Sequence, residues 1–352
     1  MSDQTACLDY RSDTFTRPTS KMRQALATAE VGDDVFAEDP SVNRLQERVA
    51  ELLGKEAALF VPSGTMSNQI AVLVHCDPGD EFICESGCHI YNYEQGAFAQ
   101  LGGVVARTFD GPGGLLEASQ LVDAIRPVNA HLVRTRLLCL ENTHNMAGGR
   151  IHPYDQLVEV CDWAAEHNLV RHLDGARLMN AAVATGKPAA EWAAHFDTVS
   201  ICFSKGLGAP VGSALAGDRG FIERAHRKRK CLGGGMRQAG ILAAAAEYAL
   251  EHHVDRLALD HAHARSLAEG IGCLEEIQLA EGNPDTNIVV FRIDPSLATA
   301  ESFVAQLETS GVKMLAVAKD RVRAVTHLDV SPERVAEAVA AVRRTVEQLR
   351  RK

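Results

Sequence analysis

The sequence has no hydrophobic run of membrane-spanning length, no Cys-x-x-Cys pair and no excess of positive charge. A membrane helix needs about eighteen or more consecutive apolar residues, and nothing in this chain approaches that length. The segment Met1-Ser-Asp-Gln4 also lacks the basic and apolar regions of a signal peptide. We therefore expect a cytoplasmic protein.

The nine cysteines are scattered from Cys7 to Cys273, which suits a reducing compartment where thiols serve as small hydrophobic side chains. The closest pair, Cys84 and Cys88, has no clear partners, so the sequence predicts no metal site. A net charge of −10 argues against a nucleic acid or an anionic membrane as a partner, because both require a basic face. The length of 352 residues favours one large domain and a smaller one.

Short apolar segments alternate with amphipathic ones through most of the chain, which indicates a mainly parallel sheet with helices on both faces. Strands are predicted over residues 57–61, 81–84, 104–106, 136–140, 169–173, 198–203, 213–216, 287–293, 312–316 and 323–326. Helices are predicted over residues 20–28, 93–101, 117–125 and 221–229, over a long stretch from 238 to 269, from Pro40 behind an Asp39 cap, and from Pro332 behind a Ser331 cap.

The strand over residues 198–203 ends in a turn rich in glycine and proline that contains Lys205. Lysine is almost never fully buried unless it is paired, and these glycines give it close backbone neighbours. A lysine that its surroundings keep uncharged is a nucleophile able to form a Schiff base. The alternative is an ordinary loop lysine whose ammonium reaches solvent.

A second candidate is the turn Pro62-Ser63-Gly64-Thr65, which lies between a strand and an apolar helix. Free backbone N–H groups at the positive end of a helix form an anion site, and the hydroxyls of Ser63 and Thr65 add donors for a phosphate. The alternative is that Ser63 merely caps the helix. The turn is not a Walker loop, and the Gly186-Lys187 pair has Ala181 where such a loop needs glycine.

The third candidate is Asp174-Gly-Ala-Arg177, which ends the strand over residues 169–173. An aspartate at this place suits pyridoxal phosphate, since a carboxylate keeps the pyridine nitrogen protonated so that the ring can accept electrons. Taken alone, Asp174 could cap a helix and Arg177 could make a surface ion pair. Ligands of open α/β sheets bind beyond the carboxyl ends of the strands, which is where Ser63, Asp174 and Lys205 fall.

These motifs belong to a series that closely resembles, nearly end to end, the low-specificity L-threonine aldolases, pyridoxal phosphate enzymes of the aspartate-aminotransferase fold. The series is Arg11-Ser-Asp-Thr14, Val31-Gly-Asp-Asp34, Glu38-Asp-Pro40, Phe60-Val-Pro-Ser-Gly-Thr-Met66, Glu141-Asn-Thr-His-Asn145, Asp174-Gly-Ala-Arg177, Ser204-Lys-Gly-Leu207, Gly233-Gly-Gly-Met-Arg-Gln-Ala-Gly240 and Val325-Thr-His-Leu-Asp-Val330. The resemblance implies a fold-type I α/β fold, with a mainly parallel seven-stranded sheet sandwiched by helices and a smaller C-terminal α/β domain. The implied limits are an N-terminal arm at 1–20, a large cofactor-binding domain at 21–249 and a small domain at 250–352.

The resemblance also implies the roles of individual residues. At the cofactor it places Lys205 as the Schiff-base lysine, Asp174 at the pyridine nitrogen, the turn of Ser63, Gly64 and Thr65 at the phosphate, His89 stacked on the ring, and Lys230 at the phosphate of a neighbouring subunit. At the substrate it places Ser12, Arg177 and Arg323 at the carboxylate and His131 near the hydroxyl. The basic run Arg227-Lys-Arg-Lys230 is otherwise expected to be solvated.

The expected reaction is the retro-aldol cleavage of L-threonine, L-allo-threonine and other β-hydroxy-α-amino acids such as phenylserine, giving glycine and an aldehyde. Arginine suits the substrate carboxylate because its guanidinium binds bidentately, and His89 or His131, directly or through water, is expected to take the hydroxyl proton. Tyr93, four residues after His89, is expected near the substrate side chain, with core packing as the alternative.

Two further readings of the chain stay open. One is another fold-type I reaction, such as β-elimination or transamination, and the other is a binding protein without cofactor. The resemblance further implies a homotetramer built from dimers, with active sites at the dimer interface. The chain departs from many relatives at Phe36-Ala37, where they carry Tyr-Gly, which removes a hydroxyl that could touch the cofactor or a partner subunit.

Overall fold

The computed structural model describes residues 7–280 and 282–351, and within these ranges it contains thirteen α-helices and thirteen β-strands. The strands are β1 (Leu8–Asp9), β2 (Ala57–Val61), β3 (Asp80–Glu85), β4 (Val105–Phe109), β5 (Arg134–Glu141), β6 (Val170–Gly175), β7 (Thr198–Cys202), β8 (Ser213–Gly217), β9 (Ile277–Leu279), β10 (Ile288–Ile293), β11 (Val312–Lys313), β12 (Leu315–Ala316) and β13 (Arg321–Val325). The helices are α1 (Ser20–Ala27), α2 (Pro40–Leu53), α3 (Gly64–His75), α4 (His89–Asn92), α5 (Ala97–Gly102), α6 (Tyr154–Glu166), α7 (Leu178–Thr185), α8 (Ala189–Ala193), α9 (Arg219–Cys231), α10 (Gly240–His252), α11 (Leu257–Gly272), α12 (Ala300–Glu308) and α13 (Pro332–Arg350). Among these described helices, none has the length and apolar character needed to cross a membrane.

The large sheet has seven strands in the order β2-β8-β7-β6-β5-β3-β4, and only β8 runs against its neighbours. Every residue of β3, β7 and β8 is buried, as expected for strands covered by helices on both faces. The predicted mainly parallel seven-stranded sheet is therefore confirmed. Because β3, β5, β6 and β7 run in one direction, their carboxyl ends meet at one edge, where the functional residues gather.

The helix starts follow the capping residues of the sequence. Asp39 accepts hydrogen bonds from the N–H groups of Ser41 and Val42, Pro40 begins α2, and Gly54 ends it in a left-handed conformation. Ser331 caps α13 in the same way. These predicted boundaries are confirmed.

The C-terminal part of the chain forms a separate antiparallel sheet in the order β12-β13-β10-β9, with its own hydrophobic core. The N-terminal arm joins this part, since β1 pairs in parallel with β11. The first six residues of the predicted arm and Lys352 lie outside the described residues. The limits 1–20, 21–249 and 250–352 remain predictions.

Two predicted helices are each interrupted by a short non-helical segment. The prediction of one helix over residues 93–101 is wrong, because Gln95 and Gly96 adopt left-handed conformations and separate α4 from α5. The long helix over residues 238–269 is also wrong, since α10 ends at His252 and α11 starts at Leu257. The His253 ring hydrogen-bonds the carbonyl of Leu207 at 2.7 Å, which anchors the chain at this break.

Two other predictions need correction in length and pairing. Residues 117–125 form only a short 3₁₀ turn, Ala118–Leu121, and the carbonyl of Ala124 accepts a hydrogen bond from the Arg107 side chain instead of a helical N–H. The strand over residues 312–316 is divided, because β11 pairs with the N-terminal arm while β12 pairs with β13.

The basic run on α9 is not uniformly solvated. Only 1% of the Arg229 side chain is exposed, and it forms an ion pair with Asp34 at 2.8 Å. Its Nη1 also donates to the carbonyl of Phe60 at 2.7 Å, on the strand that leads into the Ser63 turn. The expectation of solvated charges is therefore wrong for Arg229, because α9 packs against β2 at this position.

Ala37 lies in a left-handed conformation (φ 58°, ψ 29°), which glycine adopts without a steric penalty. We predict that Ala37→Gly stabilises the protein by about 0.5–1 kcal/mol, since the relief of steric strain exceeds the added entropy of the unfolded chain. The expected readout is a rise of about 1–2 °C in the thermal unfolding midpoint.

The matched control is Ala336→Gly, at an exposed position inside α13. Here glycine should destabilise by about 1 kcal/mol, because it loses helix propensity and relieves no strain. A fall in midpoint for both variants would contradict the assignment of strain to Ala37.

Candidate active site

A cavity of about 430 Å³ lies at the carboxyl edge of the large sheet. Six residues singled out from the sequence line it together, and these are Ser12, His89, Tyr93, Arg177, Lys205 and Arg323. They come from the N-terminal arm, from the loops after β3, β6 and β7, and from β13. Residues more than 300 positions apart in the chain therefore share one site.

Lys205 lies in the loop that follows β7 and contributes to the wall of this cavity. The loop is tight, since the N–H of Gly208 donates to the Lys205 carbonyl at 2.8 Å and Gly208 is left-handed. The positive charge of Lys205 lowers the pKa values of both Asp13 and Asp174, although burial opposes this effect at each carboxyl. Lys205 thus lies at the cavity wall, close enough to two buried carboxylates to affect them, and its chemical role remains a prediction.

Asp174 is the last residue but one of β6 and is buried. Its Oδ2 accepts a hydrogen bond from Asn68 Nδ2 at 2.8 Å, and its Oδ1 accepts one from the N–H of Ala176 at 3.1 Å. Burial favours the neutral acid, but the charges of His89 and Lys205, together with these two hydrogen bonds, hold the pKa of Asp174 below its usual value. The site therefore contains a buried carboxylate that stays ionised.

The Ser63 turn lies beside the strand that leads to Lys205. Ser63 caps α3 by accepting from the N–H of Met66 at 3.2 Å, so the capping role is confirmed and leaves the anion role open. The amides of Gly64 and Thr65 are among the first four of the helix, which have no intrahelical partner. A Cβ at Gly64 would lie 2.7 Å from Cys202 Sγ, so only glycine lets the turn approach the end of β7 this closely.

Two arginines with different partners form the far end of the cavity. Arg177 is held by the buried Asp13, with Nε to Oδ2 at 2.8 Å and Nη2 to Oδ1 at 2.7 Å. Arg323 makes no ion pair in residues 7–280 and 282–351, and its buried Nε has no hydrogen-bond partner there. The Asn145 Oδ1 accepts from Nη1 of both arginines at 3.2 Å. Arg323 is thus the cation that an incoming anion could neutralise.

His89 begins the short helix α4, and its N–H donates to Glu141 Oε2 at 2.7 Å. Its Nδ1 hydrogen-bonds Oε1 of the buried Glu94 at 3.0 Å, so Nε2 remains for the cavity. Burial opposes charge on the imidazole, but the hydrogen bond that His89 donates to Glu94 and the charges of Asp174, Glu94 and Glu141 raise the pKa of His89 overall. These neighbouring carboxylates therefore stabilise the protonated imidazole relative to an ordinary histidine.

Tyr93 lies on the same side as His89, with the two ring centroids 5.7 Å apart. Half of the Tyr93 side chain is exposed, which excludes core packing, and its hydroxyl contacts Met146 Sδ at 3.0 Å. Tyr93 lines the cavity, while its predicted place near the substrate side chain and its influence on the substrate remain predictions.

The structure does not bring His131 or Lys230 to the cavity of the same chain. His131 is exposed and precedes β5, so it lies where this strand begins, whereas the site lies where the strand ends. The eight residues of β5 separate the two by about 25 Å. A single chain therefore does not support His131 as a base. Lys230 lines a separate cavity of about 330 Å³ with Val35 and Gly235.

Sequence reasoning passed over four residues of this site. Asp13 and Asn145 lie within motifs that carry the family resemblance, so their positions could have been singled out. Asn68 and Glu94 lie outside those motifs, so the sequence indicated a role for them only weakly. Asn68 lies in the interior of a helix, where asparagine is unfavourable unless its side chain has another partner.

Comparison with known proteins agrees with this geometry. Residues 9–295 match the family described as beta-eliminating lyase. A low-specificity L-threonine aldolase of Escherichia coli O157:H7 is 45% identical over 95% of this chain and 97% of its own, and low-specificity L-threonine aldolase 1 of Arabidopsis thaliana is 44% identical over 92% of each. The structure of Leishmania major threonine aldolase has the same fold, with a TM-score of 0.83 and 22% identity over 96% of this chain and 99% of that one. The chain therefore belongs to the beta-eliminating lyase family and, within it, to the low-specificity L-threonine aldolases.

Proposed function

We propose that this lyase uses pyridoxal phosphate to cleave the Cα–Cβ bond of L-threonine, L-allo-threonine and other β-hydroxy-α-amino acids such as phenylserine. The products are glycine and an aldehyde, which is acetaldehyde for threonine. The observation that carries the proposal is the cavity itself, which joins one amine, one imidazole and two guanidinium groups next to an ionised carboxylate.

The residues present fit the cofactor. Asp174 is ionised, and each of its oxygens has only one hydrogen-bond donor within residues 7–280 and 282–351, so a ring N–H can still be accepted. Lys205 supplies the amine for its aldehyde, and Ser63, Gly64 and Thr65 supply a helix N-terminus for its phosphate. When bound, pyridoxal phosphate supplies an electron sink for the bond that breaks.

The two arginines orient the substrate. Arg323 can bind the carboxylate directly, because it lines the cavity and makes no ion pair among the described residues. Arg177 is fixed by Asp13, and its Nη1 is directed at Asn145 beside Arg323. Ser12 lines the same wall and adds a hydroxyl. A carboxylate held in this way fixes the torsion about Cα, which sets the bond that breaks.

His89 is the base best placed for the β-hydroxyl. In its neutral form, Nε2 takes the hydroxyl proton directly or through a water while the Cα–Cβ bond breaks and the aldehyde carbonyl forms. Glu94 keeps the proton on Nδ1, because a carboxylate can only accept a hydrogen bond. A proton returned to Cα completes glycine.

We further propose a homotetramer built from dimers, in which Lys230 serves the phosphate of a neighbouring subunit. In support, Lys230 lies outside the cavity of its own chain. Phe36, in the neighbouring acidic turn, is 70% exposed, which leaves an apolar surface for a partner.

A cytoplasmic location is also proposed, since all nine cysteines, each within the described residues, are free thiols.

β-Elimination is the second candidate, because the matched family is described as beta-eliminating lyase. It would use the same lysine and the same carboxylate but would release ammonia and a keto acid. The identity of the products separates the two reactions.

We predict that the enzyme with pyridoxal phosphate converts L-threonine to equal amounts of acetaldehyde and glycine. The assay measures both products and ammonia over time, with enzyme lacking cofactor as the control. Release of ammonia and a keto acid in place of acetaldehyde would exclude the aldolase reaction.

We predict that Lys205→Ala abolishes turnover, with a fall of more than about a thousandfold in kcat, because the nucleophilic amine is lost. The far-UV spectrum and the unfolding midpoint should stay close to those of the parent, since Lys205 makes no ion pair in the described residues. The matched control is Lys187→Ala. Lys187 forms a partly exposed ion pair with Glu191, and its loss should leave kcat unchanged because such a pair contributes little. Equal activity in both variants would refute the role of Lys205.

The pH dependence tests His89. If neutral His89 is the base, kcat/KM rises as pH passes through its pKa, which lies above the ordinary value because of Glu94, Asp174 and Glu141. Glu94→Gln removes a charge that stabilises the imidazolium, so the acid limb should move to lower pH. An acid limb that stays in place in Glu94→Gln and in His89→Asn would exclude His89 as the titrating base.

A further inference from the structure

A chain of buried hydrogen bonds runs from Asp174 away from the cavity into the helix and sheet behind it. Asp174 Oδ2 meets Asn68 Nδ2 at 2.8 Å, and Asn68 Oδ1 meets His172 Nε2 at 3.1 Å. His172 Nδ1 then meets Thr198 Oγ1 at 2.9 Å, and Thr198 Oγ1 meets His75 Nε2 at 3.1 Å. This series of hydrogen bonds thus joins β6, β7 and α3. The proposed reaction uses only its first residue, Asp174.

The acceptors of this chain fix the direction of every hydrogen bond. Asp174 is ionised and can only accept, so the amide group of Asn68 must face it and the carbonyl Oδ1 must face His172. A carbonyl can only accept, so His172 carries its proton on Nε2. Its Nδ1 then accepts from the hydroxyl of Thr198, whose oxygen in turn accepts from His75 Nε2–H. All donors point toward Asp174.

Both histidines are neutral, as this direction requires. Burial lowers the pKa of His172 to about 4, although the charge of Asp174 opposes the shift. Burial likewise lowers the pKa of His75 to about 3, and its ring stacks on Phe221 with 4.5 Å between centroids. Both rings are therefore neutral at neutral pH, and their hydrogen-bond partners then set the tautomers.

Asn68 holds two carboxylates at once. Its Nδ2 donates to Asp174 Oδ2 and to Glu94 Oε1, each at 2.8 Å, so it uses both N–H bonds. The two carboxylates repel each other, as the charge of Asp174 adds to burial in raising the pKa of Glu94. Glu94 in turn holds His89. One buried amide thus separates the carboxylate at the cofactor from the carboxylate at the base.

We propose that Asn68 is a positioning residue for the cofactor: its amide, locked by the His172–Thr198–His75 chain, keeps Asp174 anionic and directed at the cofactor ring nitrogen. This inference rests on the proposed function only for the identity of the cofactor. Asn68 touches neither substrate nor reacting atoms and acts through Asp174 and Glu94.

The test measures two properties of the assembled enzyme other than turnover. The first is the dissociation constant of pyridoxal phosphate, and the second is the ¹⁵N chemical shift of its ring nitrogen in enzyme loaded with ring-labelled cofactor, which reports protonation. In Asn68→Ala the dissociation constant should rise at least about tenfold, the effect of losing one hydrogen bond to a charged group. The ring nitrogen should shift toward its unprotonated value.

The matched control is Gln69→Ala. Gln69 is the next residue of the same helix, is equally buried, and donates to Glu94 Oε2 at 2.6 Å but does not contact Asp174. Its loss should change cofactor affinity less than about threefold, since only a carboxylate remote from the ring is affected. The ring-nitrogen shift should stay at the parent value.

A second pair of variants tests the hydrogen bond from His172 that orients the Asn68 amide. This pair also keeps the proposal testable if Asn68→Ala does not fold. His172→Leu keeps the volume but leaves Asn68 Oδ1 without its donor, and should weaken cofactor binding several-fold with the same change in ring-nitrogen shift. His172→Gln restores an N–H donor and should recover both properties. Parent values in Asn68→Ala and His172→Leu, or no recovery in His172→Gln, would overturn the proposal.

The outcomes also separate this inference from the proposed function. If the parent enzyme binds pyridoxal phosphate but does not cleave threonine, the proposed function fails while the ring-nitrogen shift still decides the role of Asn68. If threonine is cleaved and the shift is unchanged in Asn68→Ala and His172→Leu, the inference fails alone.

Discussion

The site depends on keeping one carboxylate charged where burial favours its neutral form. Asp174 lies at the end of a central strand, and it stays ionised because His89 and Lys205 lie close and because Asn68 and Ala176 donate to its two oxygens. Each of these groups comes from a different loop or helix. The constraint therefore explains why a polar helix face, that of α3, points into an otherwise apolar interior.

A second balance of charge governs the substrate end of the cavity. Asp13 neutralises Arg177, and Asn145 links Arg177 to Arg323, so two cations lie together with one resident anion. Burial and, to a smaller extent, the charge of Arg177 lower the pKa of Arg323. Among the described residues Arg323 makes no ion pair of its own, and this unbalanced charge at the cavity wall is why we propose that an amino-acid carboxylate binds there.

Local rules accounted for most of the fold. Asp39, Ser63 and Ser331 begin helices where their side chains can accept from free amides, and apolar runs of four to six residues form the buried strands. The failures occur where tertiary contacts override local preference. The His253 ring bound to Leu207 breaks a helix that periodicity alone would continue, and α9 buries Arg229 because Asp34 and Phe60 offer partners from distant segments.

The sequence alone determined the family, because the motifs that carry the resemblance are spread nearly end to end. It also singled out Lys205, Asp174 and the turn at Ser63 to Thr65 as candidate site residues, because each lies in a short motif at the end of a predicted strand. It did not determine that His131 lies at the opposite edge of the sheet, since strand direction decides on which side a loop emerges. It also did not determine the roles of Asp13, Asn68 and Glu94. Asp13 and Asn68 act through hydrogen bonds to residues 26 to 164 positions away, which only the folded chain brings within 3 Å. Glu94 also meets His89 only five positions away, but it does so across the end of a short helix that the sequence did not predict.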